Sequence, residues 1–316
     1  MTAPERFLAL AARHGRLVLI LGLVAGIAWP ALARAMQPMI VPFIMLMLAV
    51  AAARIGPGQA RLTVAALTRA AGLTVVFQTL LPLAGMAGLW VLGVLAQPWA
   101  LGLVLALAAA PITGSPGLAI LSRSDPVPAL RQVILGTALL PLTVLPVFWF
   151  MPVFADPLDT LMAAGRLLLI IGVAGGAGFW LHGRVPQLGT ERGQGALDGL
   201  MALTMGLVVI ALMSAVGPAI WAGDRAVWAL LALVLVFNFG IQAGVAAVTR
   251  AAGAAALAPA MGIVAGNRNL ALFLGALPAD TVAALMLFVG VYQIPMYLTP
   301  LVMTGFYRRM VGAAPG

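Results

Sequence analysis

The chain has no cysteine and no lysine among its 316 residues, and only eight acidic side chains and two histidines. Without cysteine there can be no disulfide framework, no thiolate metal site and no thiol chemistry. Charged residues make up 8% and hydrophobic ones 63%, whereas soluble domains run near ~25% charged and ~45–50% apolar. A water-soluble globule is therefore excluded, and no polar stretch is long enough for a soluble catalytic domain. What is present is a mean hydropathy of +1.12, with 36 glycines, 22 prolines and 17 basic residues, all arginine. In a soluble protein a net charge of +9 would suggest nucleic acid. In a chain this apolar it reflects basic cytoplasmic loops, and no nucleic-acid partner is expected.

Apolar runs fall at 17–35, 38–53, 72–96, 98–122, 127–151, 157–182, 197–216, 226–248, 255–278 and 281–306. A helix needs ~20 residues to cross the hydrocarbon core. The expected fold class is an all-α polytopic membrane protein of about ten transmembrane helices, spans 1 to 10, with the lipid bilayer as a partner. Thirteen arginines fall on the side of the N-terminus: Arg6, Arg13, Arg16, Arg54, Arg61, Arg69, Arg123, Arg131, Arg184, Arg192, Arg250, Arg308 and Arg309. The other side has Arg34, Arg166 and Arg225, and Arg268 stays inside a span. The positive-inside rule then puts both termini in the cytoplasm, as an even number of spans requires, and the plasma (inner) membrane is the expected location.

Gly15-Arg16-Leu17-Val18-Leu19-Ile20-Leu21-Gly22 recurs 150 residues later as Gly165-Arg166-Leu167-Leu168-Leu169-Ile170-Ile171-Gly172. Pro141 and Pro146 have the spacing of Pro295 and Pro300, at an offset of 154. Span 1 thus matches span 6, and span 5 matches span 10. The chain divides into a first repeat over 1–153 and a second over 154–316. Arg13, Arg16 and Ala31-Leu32-Ala33 resemble a signal peptide with its cleavage site, but a span with a partner in the second repeat is expected to belong to the fold. Five spans per repeat is an odd number, so the second copy enters the membrane from the opposite side. Inverted repeats are common in secondary transporters, whose sites lie on broken helices at the repeat interface.

Span 4 carries Pro111-Ile112-Thr113-Gly114-Ser115-Pro116-Gly117, and span 9 carries Gly262-Ile263-Val264-Ala265-Gly266-Asn267-Arg268-Asn269. Two prolines and two glycines in seven residues cannot form a regular helix, so span 4 must unwind there. Ser115 before Pro116 reads as an N-cap with proline at the first helical position, its free N–H groups pointing at the break. All eight acidic residues (Glu5, Asp125, Asp156, Asp159, Glu191, Asp198, Asp224, Asp280) map to span ends or loops, which leaves Arg268 without a carboxylate partner. A guanidinium at mid-membrane must face carbonyls, water or an anion, since its insertion costs at least ~2.5–3.5 kcal/mol. Arg268 is thus read either as glue for helix-end carbonyls or, beside two helix N-termini, as a bidentate anion grip. Asn267 and Asn269 flank it. Gln78, Asn238 and Gln242 are further intramembrane polar residues, and each could instead serve an interhelical hydrogen bond. The candidate substrate-binding set is Thr113, Ser115, Asn267, Arg268, Asn269, Asn238, Gln242 and Gln78. Tyr292 and Gln293 are polar span residues outside that set.

Three stretches are similar to the bile acid:sodium symporter family: Ile40-Val41-Pro42-Phe43-Ile44-Met45-Leu46-Met47, the break at Thr113–Gly117 with Pro141-Leu142-Thr143-Val144-Leu145-Pro146, and Gly266-Asn267-Arg268-Asn269-Leu270-Ala271-Leu272. The last resembles the family's G-x-Q-N segment. The resemblance implies a panel of spans 1, 2, 6 and 7 and a core of spans 3–5 and 8–10, with spans 4 and 9 crossing and substrate bound between the two. The chain departs from the family where the family holds sodium. Val264 stands in place of an acidic residue, Arg268 in place of the glutamine, and Pro116 in place of an asparagine. Ala129 and Val133 fall where span 5 would supply polar ligands, and Gln78 lies one residue from its expected spacing to Pro82.

The expected function is a secondary transporter of a small or amphipathic organic anion, working by alternating access without sodium, Arg268 standing in for the bound cation. No cofactor or metal is expected. The alternative within transport is a sodium symporter with neutral oxygen ligands. An enzyme is not expected, because His14 and His182 lie near span ends and no paired carboxylates or H-x-x-x-H occur within the spans. A sensor or channel without a transport cycle is the alternative of another class.

Overall fold

The structure, a computed structural model, describes residues 3–59, 63–122, 124–154 and 156–312. Arg61 and Arg123 lie outside the described residues, as do the side chains of Glu5 and Arg16. Among the described residues the chain is helical, with no strand and one isolated β-bridge. This is an all-α polytopic membrane protein. Six of its helical stretches are long and apolar enough to cross a bilayer: Pro30–Gly56, Val64–Val91, Pro157–Arg184, Glu191–Leu212, Arg225–Ala251 and Ala279–Val302.

Helix α1 (Ala3–Arg13) is amphipathic and meets the apolar α2 (Gly15–Ala28) at an angle of 83°. After Trp29, α3 (Pro30–Met36) starts on its proline, and α4 (Ile40–Gln59) follows. Helices α5 (Val64–Val75) and α6 (Leu81–Val91) join through one π-helical turn, Val76–Leu80, into a single span. Helices α7 (Pro98–Ala108) and α8 (Ser115–Leu121) are separated by an unwound stretch. The next pair, α9 (Val127–Thr143) and α10 (Leu145–Phe150), divides at Val144, between Pro141 and Pro146. Helix α11 (Pro157–Arg184) is a long span, and α12 (Glu191–Leu212) leads to the short α13 (Val216–Trp221). Helix α14 (Arg225–Ala251) precedes α15 (Ala258–Gly266), which ends in a second unwound stretch and a 3-10 turn, Leu270–Gly275. Helices α16 (Ala279–Val302) and α17 (Thr304–Gly312) complete the chain described.

The scarce acidic residues mark where helices begin. Asp125 accepts from Val127 N–H, Asp156 from Asp159 N–H and Asp224 from Ala226 N–H, satisfying donors that a helix start leaves free. Asp159, Glu191 and Asp280 sit in first turns, where negative charge meets the positive dipole end. Asp198, at the start of the expected span 197–216, is partly exposed and caps no helix. It lies within α12 and pairs with Arg54 of α4.

Packing follows two groupings. Helix α4 runs along α11, while α1, α2 and α3 lie on α12, which also touches α4. In the other grouping α14 packs on α15 and α16, α5 on α9, α7 on α6 and α16, and α8 on α9 and α15. Lipid tails are as apolar as leucine, so such contacts are held by close fit rather than by exclusion of water. Gly178 shows this: a Cβ there would strike the backbone carbonyl of Ala49 on α4. The large apolar side chains left exposed, among them Trp90, Val236 and Leu301, are far more than a soluble monomer carries and suit a lipid-facing surface.

Candidate functional site

The two unwound stretches solve each other's backbone problem. Unpaired amides inside a bilayer cost several kcal/mol each, about the price of a lost hydrogen bond in hydrocarbon. Pro111 lies opposite Arg268 in an antiparallel bridge. Ile112 N–H donates to Asn267 O at 2.9 Å, and Asn269 N–H donates to Ala110 O at 2.7 Å. Pro111 has no N–H to give, and the bridge asks none of it, because the bonds run between its neighbours.

Arg268 is buried, with 1% of its surface exposed. Its Nε donates to Ala265 O at 2.9 Å and its Nη1 to Ala109 O at 2.9 Å. Those carbonyls belong to the C-terminal ends of α15 and α7, which carry the negative ends of the helix dipoles. The guanidinium also lies over the Phe77 ring, 5.4 Å from its centroid. Its remaining nitrogen, Nη2, is buried and has no hydrogen-bond partner. The expectation of an arginine beside two helix N-termini is thus corrected: Arg268 joins two C-termini, where a cation is stabilised.

Ser115 also differs from its expected role. Gly114 occupies the cap position, Ser115 is the first residue of α8, and no side chain caps the helix. The Ser115 hydroxyl is buried without a partner. In span 9 the helix persists through Gly262 to Gly266, so the unwinding is confined to a few residues around Arg268. The glycines serve close packing: a Cβ on Gly266 would come within 2.7 Å of Asn238 O.

Asn238, Gln242 and Asn267 are brought into one hydrogen-bond network with Thr299, Tyr292 and Tyr307. Asn238 Nδ2 donates to Gly266 O at 2.5 Å, and Tyr292 OH donates to the same oxygen at 2.7 Å. Gln242 Nε2 donates to Asn238 Oδ1 at 2.6 Å and to Thr299 Oγ1 at 3.0 Å. Thr299 in turn donates to Asn267 Oδ1 at 3.0 Å, and Tyr307 OH to Gln242 Oε1 at 2.8 Å. Asn267 Nδ2 closes on Ile263 O at 2.9 Å. This network caps the broken end of α15. Leaving a buried partner unsatisfied costs ~1–3 kcal/mol, so Asn238→Leu is expected to lower the thermal midpoint in detergent by several degrees. An unchanged midpoint would show that the network adds nothing to stability.

Gln78 sits in the π-helical turn, where it donates to Gly136 O at 2.9 Å and accepts from Thr143 Oγ1 at 2.6 Å. It braces the crossing from outside, since a Cβ on Gly136 would meet both Gln78 Nε2 and Pro111 Cδ, at 2.8 and 2.9 Å.

Of the eight candidates, Thr113, Arg268 and Asn269 line an internal cavity of about 40 Å³. Gln293 and Tyr297 of α16 share that polar wall. Tyr297 lies outside the expected set, and Gln293 is expected only as a polar span residue. The pair is legible as an i, i+4 pattern astride Pro295, the same signal that singles out Asn238 and Gln242. The facing wall is apolar, with Ile44, Met47 and Leu48 from α4 and Met205, Val208 and Leu212 from α12. A second cavity of about 370 Å³ shares Thr113 and Met205 with the first and extends to Arg54 and Asp198, both of which are partly exposed. Every polar group on the small cavity's wall is a cation, an amide, a hydroxyl or a phenol, and none is a carboxylate. Among the described residues no group of three or more His, Cys, Asp or Glu could hold a metal ion. Chemically, such a wall suits an anion with an apolar body.

No protein-family model matches the chain. No curated protein matches it either, so the functional reading rests on the residues of the crossing.

Proposed function

We propose that the protein is a secondary transporter of organic anions that works by alternating access, without sodium, in the plasma (inner) membrane with both termini cytoplasmic. The observation that carries this reading is Arg268: a buried cation tied by two nitrogens to the carbonyl ends of α7 and α15, its third nitrogen buried without a partner, on the wall of a cavity that holds no carboxylate. An arginine so held is a fixed cation, and a fixed cation selects anions.

The reading includes ten spans in two inverted repeats and a kinship with the bile acid:sodium symporters. Supporting the repeat, a short helix, an unwound stretch and a second short element recur in both halves: α7 and α8 in one, α15 and its 3-10 turn in the other. A buried amide meets a buried threonine beside each crossing as well, Gln78 with Thr143 and Gln242 with Thr299. The packing of α4 along α11 and of α2 on α12 supports a panel, which meets the proposed core where α11 lies on α9 and α10 and α12 on α16. The core would slide against the panel to expose the site on alternate sides.

Sodium calls for hard oxygen ligands, yet Val264 and Ala129 are buried in an apolar cluster with Ala119 and Phe77, and Val133 is buried too. Arg268 takes over the task of a bound cation, which is to hold carbonyl-rich helix ends together and attract the substrate. A thermal-shift titration in detergent tests the anion site, with lactate as a small carboxylate, submicellar cholate as a bulky one and choline as a cation. A carboxylate should raise the midpoint while choline leaves it unmoved. Stabilisation by choline, or by neither carboxylate, would count against the reading.

A further inference from the structure

We propose that this transporter is an exchanger: its site crosses the membrane with an anion bound and returns at a useful rate only when another anion replaces the first. The inference rests on the carrier reading above and adds a rule about the empty site.

The two carbonyls that hold Arg268, from Ala109 and Ala265, both lie on elements packed around the crossing. The cation therefore travels with the crossing and cannot be left behind. A carrier that binds its coupling cations reversibly can shed them and return with a neutral site. This chain has the cation built into its backbone link. Its charge is not balanced nearby, because no acidic side chain lines the small cavity and the Arg268 Nη2 is left without a partner.

The facing wall sets the difficulty of the empty return. Relative motion of the two groupings would carry the Arg268 charge along the wall formed by Met47, Leu48, Met205 and Val208, which offers no hydrogen-bonding side chain except the weak acceptor sulfur of methionine. With a carboxylate bound in the cavity beside Arg268, the moving pair is neutral. Empty, the site keeps a net charge against an apolar wall. A cavity of about 40 Å³ has room for only about three waters at ~10–15 Å³ each, which cannot cancel the arginine's charge. The loaded crossing is thus fast and the empty crossing slow.

The test uses the purified full-length protein in proteoliposomes preloaded with [14C]lactate or [14C]cholate. Efflux is followed into buffer alone and into buffer holding the same anion unlabelled. External anion is expected to speed efflux about 100-fold, which converts to ~2.7 kcal/mol at 1.36 kcal/mol per tenfold. Exchange of one monoanion for another moves no net charge, so its rate should not respond to an imposed potassium diffusion potential. Arg268→Lys, which keeps the charge, should preserve the ratio at lower absolute rates. Equal efflux with and without external anion would overturn the exchange rule and leave the carrier reading standing. If neither probe shows protein-dependent flux in either arrangement, the carrier reading falls and the exchange rule with it.

Discussion

Replacing Arg268 with glutamine is expected to remove anion transport and to weaken the fold in the same step. The arginine supplies donors to two carbonyls on different elements, Ala265 O and Ala109 O, and lines the cavity as its one charged residue. Glutamine has a single amide nitrogen on a shorter stem and can replace one of those bonds at best. A buried carbonyl left unsatisfied costs ~1–3 kcal/mol, and the dipole ends of α7 and α15 lose the charge that offsets them. Anion flux in proteoliposomes should fall by about 100-fold or more, since the site would lose the only charge on its wall; by the same arithmetic that is ~2.7 kcal/mol of lost binding or barrier lowering. The thermal midpoint should fall by several degrees. Wild-type flux with a lowered midpoint would instead mean that Arg268 is only the glue of the crossing. That outcome would overturn its role in the anion site.

Met205→Trp is expected to stop transport by another route and leave the fold nearly intact. Met205 lies on α12, half-buried, and lines both the small cavity and the larger one that leads to Arg54 and Asp198. A tryptophan there projects into empty space rather than into packed atoms, so the usual ~1–3 kcal/mol cost of overpacking should be largely avoided. It would nevertheless crowd the wall that the two cavities share beside Thr113. Counterflow should drop at least about tenfold, or ~1.4 kcal/mol, with the thermal midpoint within a few degrees of wild type. Unchanged counterflow would mean that the anion does not pass between α12 and the crossing.

These two residues also show what the sequence could and could not reveal. Arg268 stands out because it is the one charge inside an apolar run, and charges in membranes are costly. Its partners could not be read, because Ala109 and Ala265 act through backbone oxygens, which any residue carries. The break at Pro111–Gly117 is legible from proline and glycine chemistry. The glycines of span 9 mislead: Gly262 and Gly266 look like unwinding signals, whereas they admit Gln242 and Asn238 at close range while α15 stays helical. Asn238 and Gln242 read correctly as a polar pair one turn apart, yet only the three-dimensional arrangement shows their hydrogen bonds spent on Gly266 and Thr299. Six long apolar helices agree with the hydropathy pattern, and Pro98–Ala108 and Val127–Thr143 are apolar but shorter. Prolines and unwound backbone divide those elements, as P-x-x-x-x-P in span 5 and the two prolines of the span 4 break lead one to expect.

The central claim is that a covalently fixed cation has replaced a bound one. Counterflow of [14C]lactate and [14C]cholate, measured in proteoliposomes with sodium on both sides and again with N-methylglucamine in its place, tests this most directly. A fixed cation predicts protein-dependent counterflow at equal rates in the two buffers; counterflow that vanishes without sodium would contradict it.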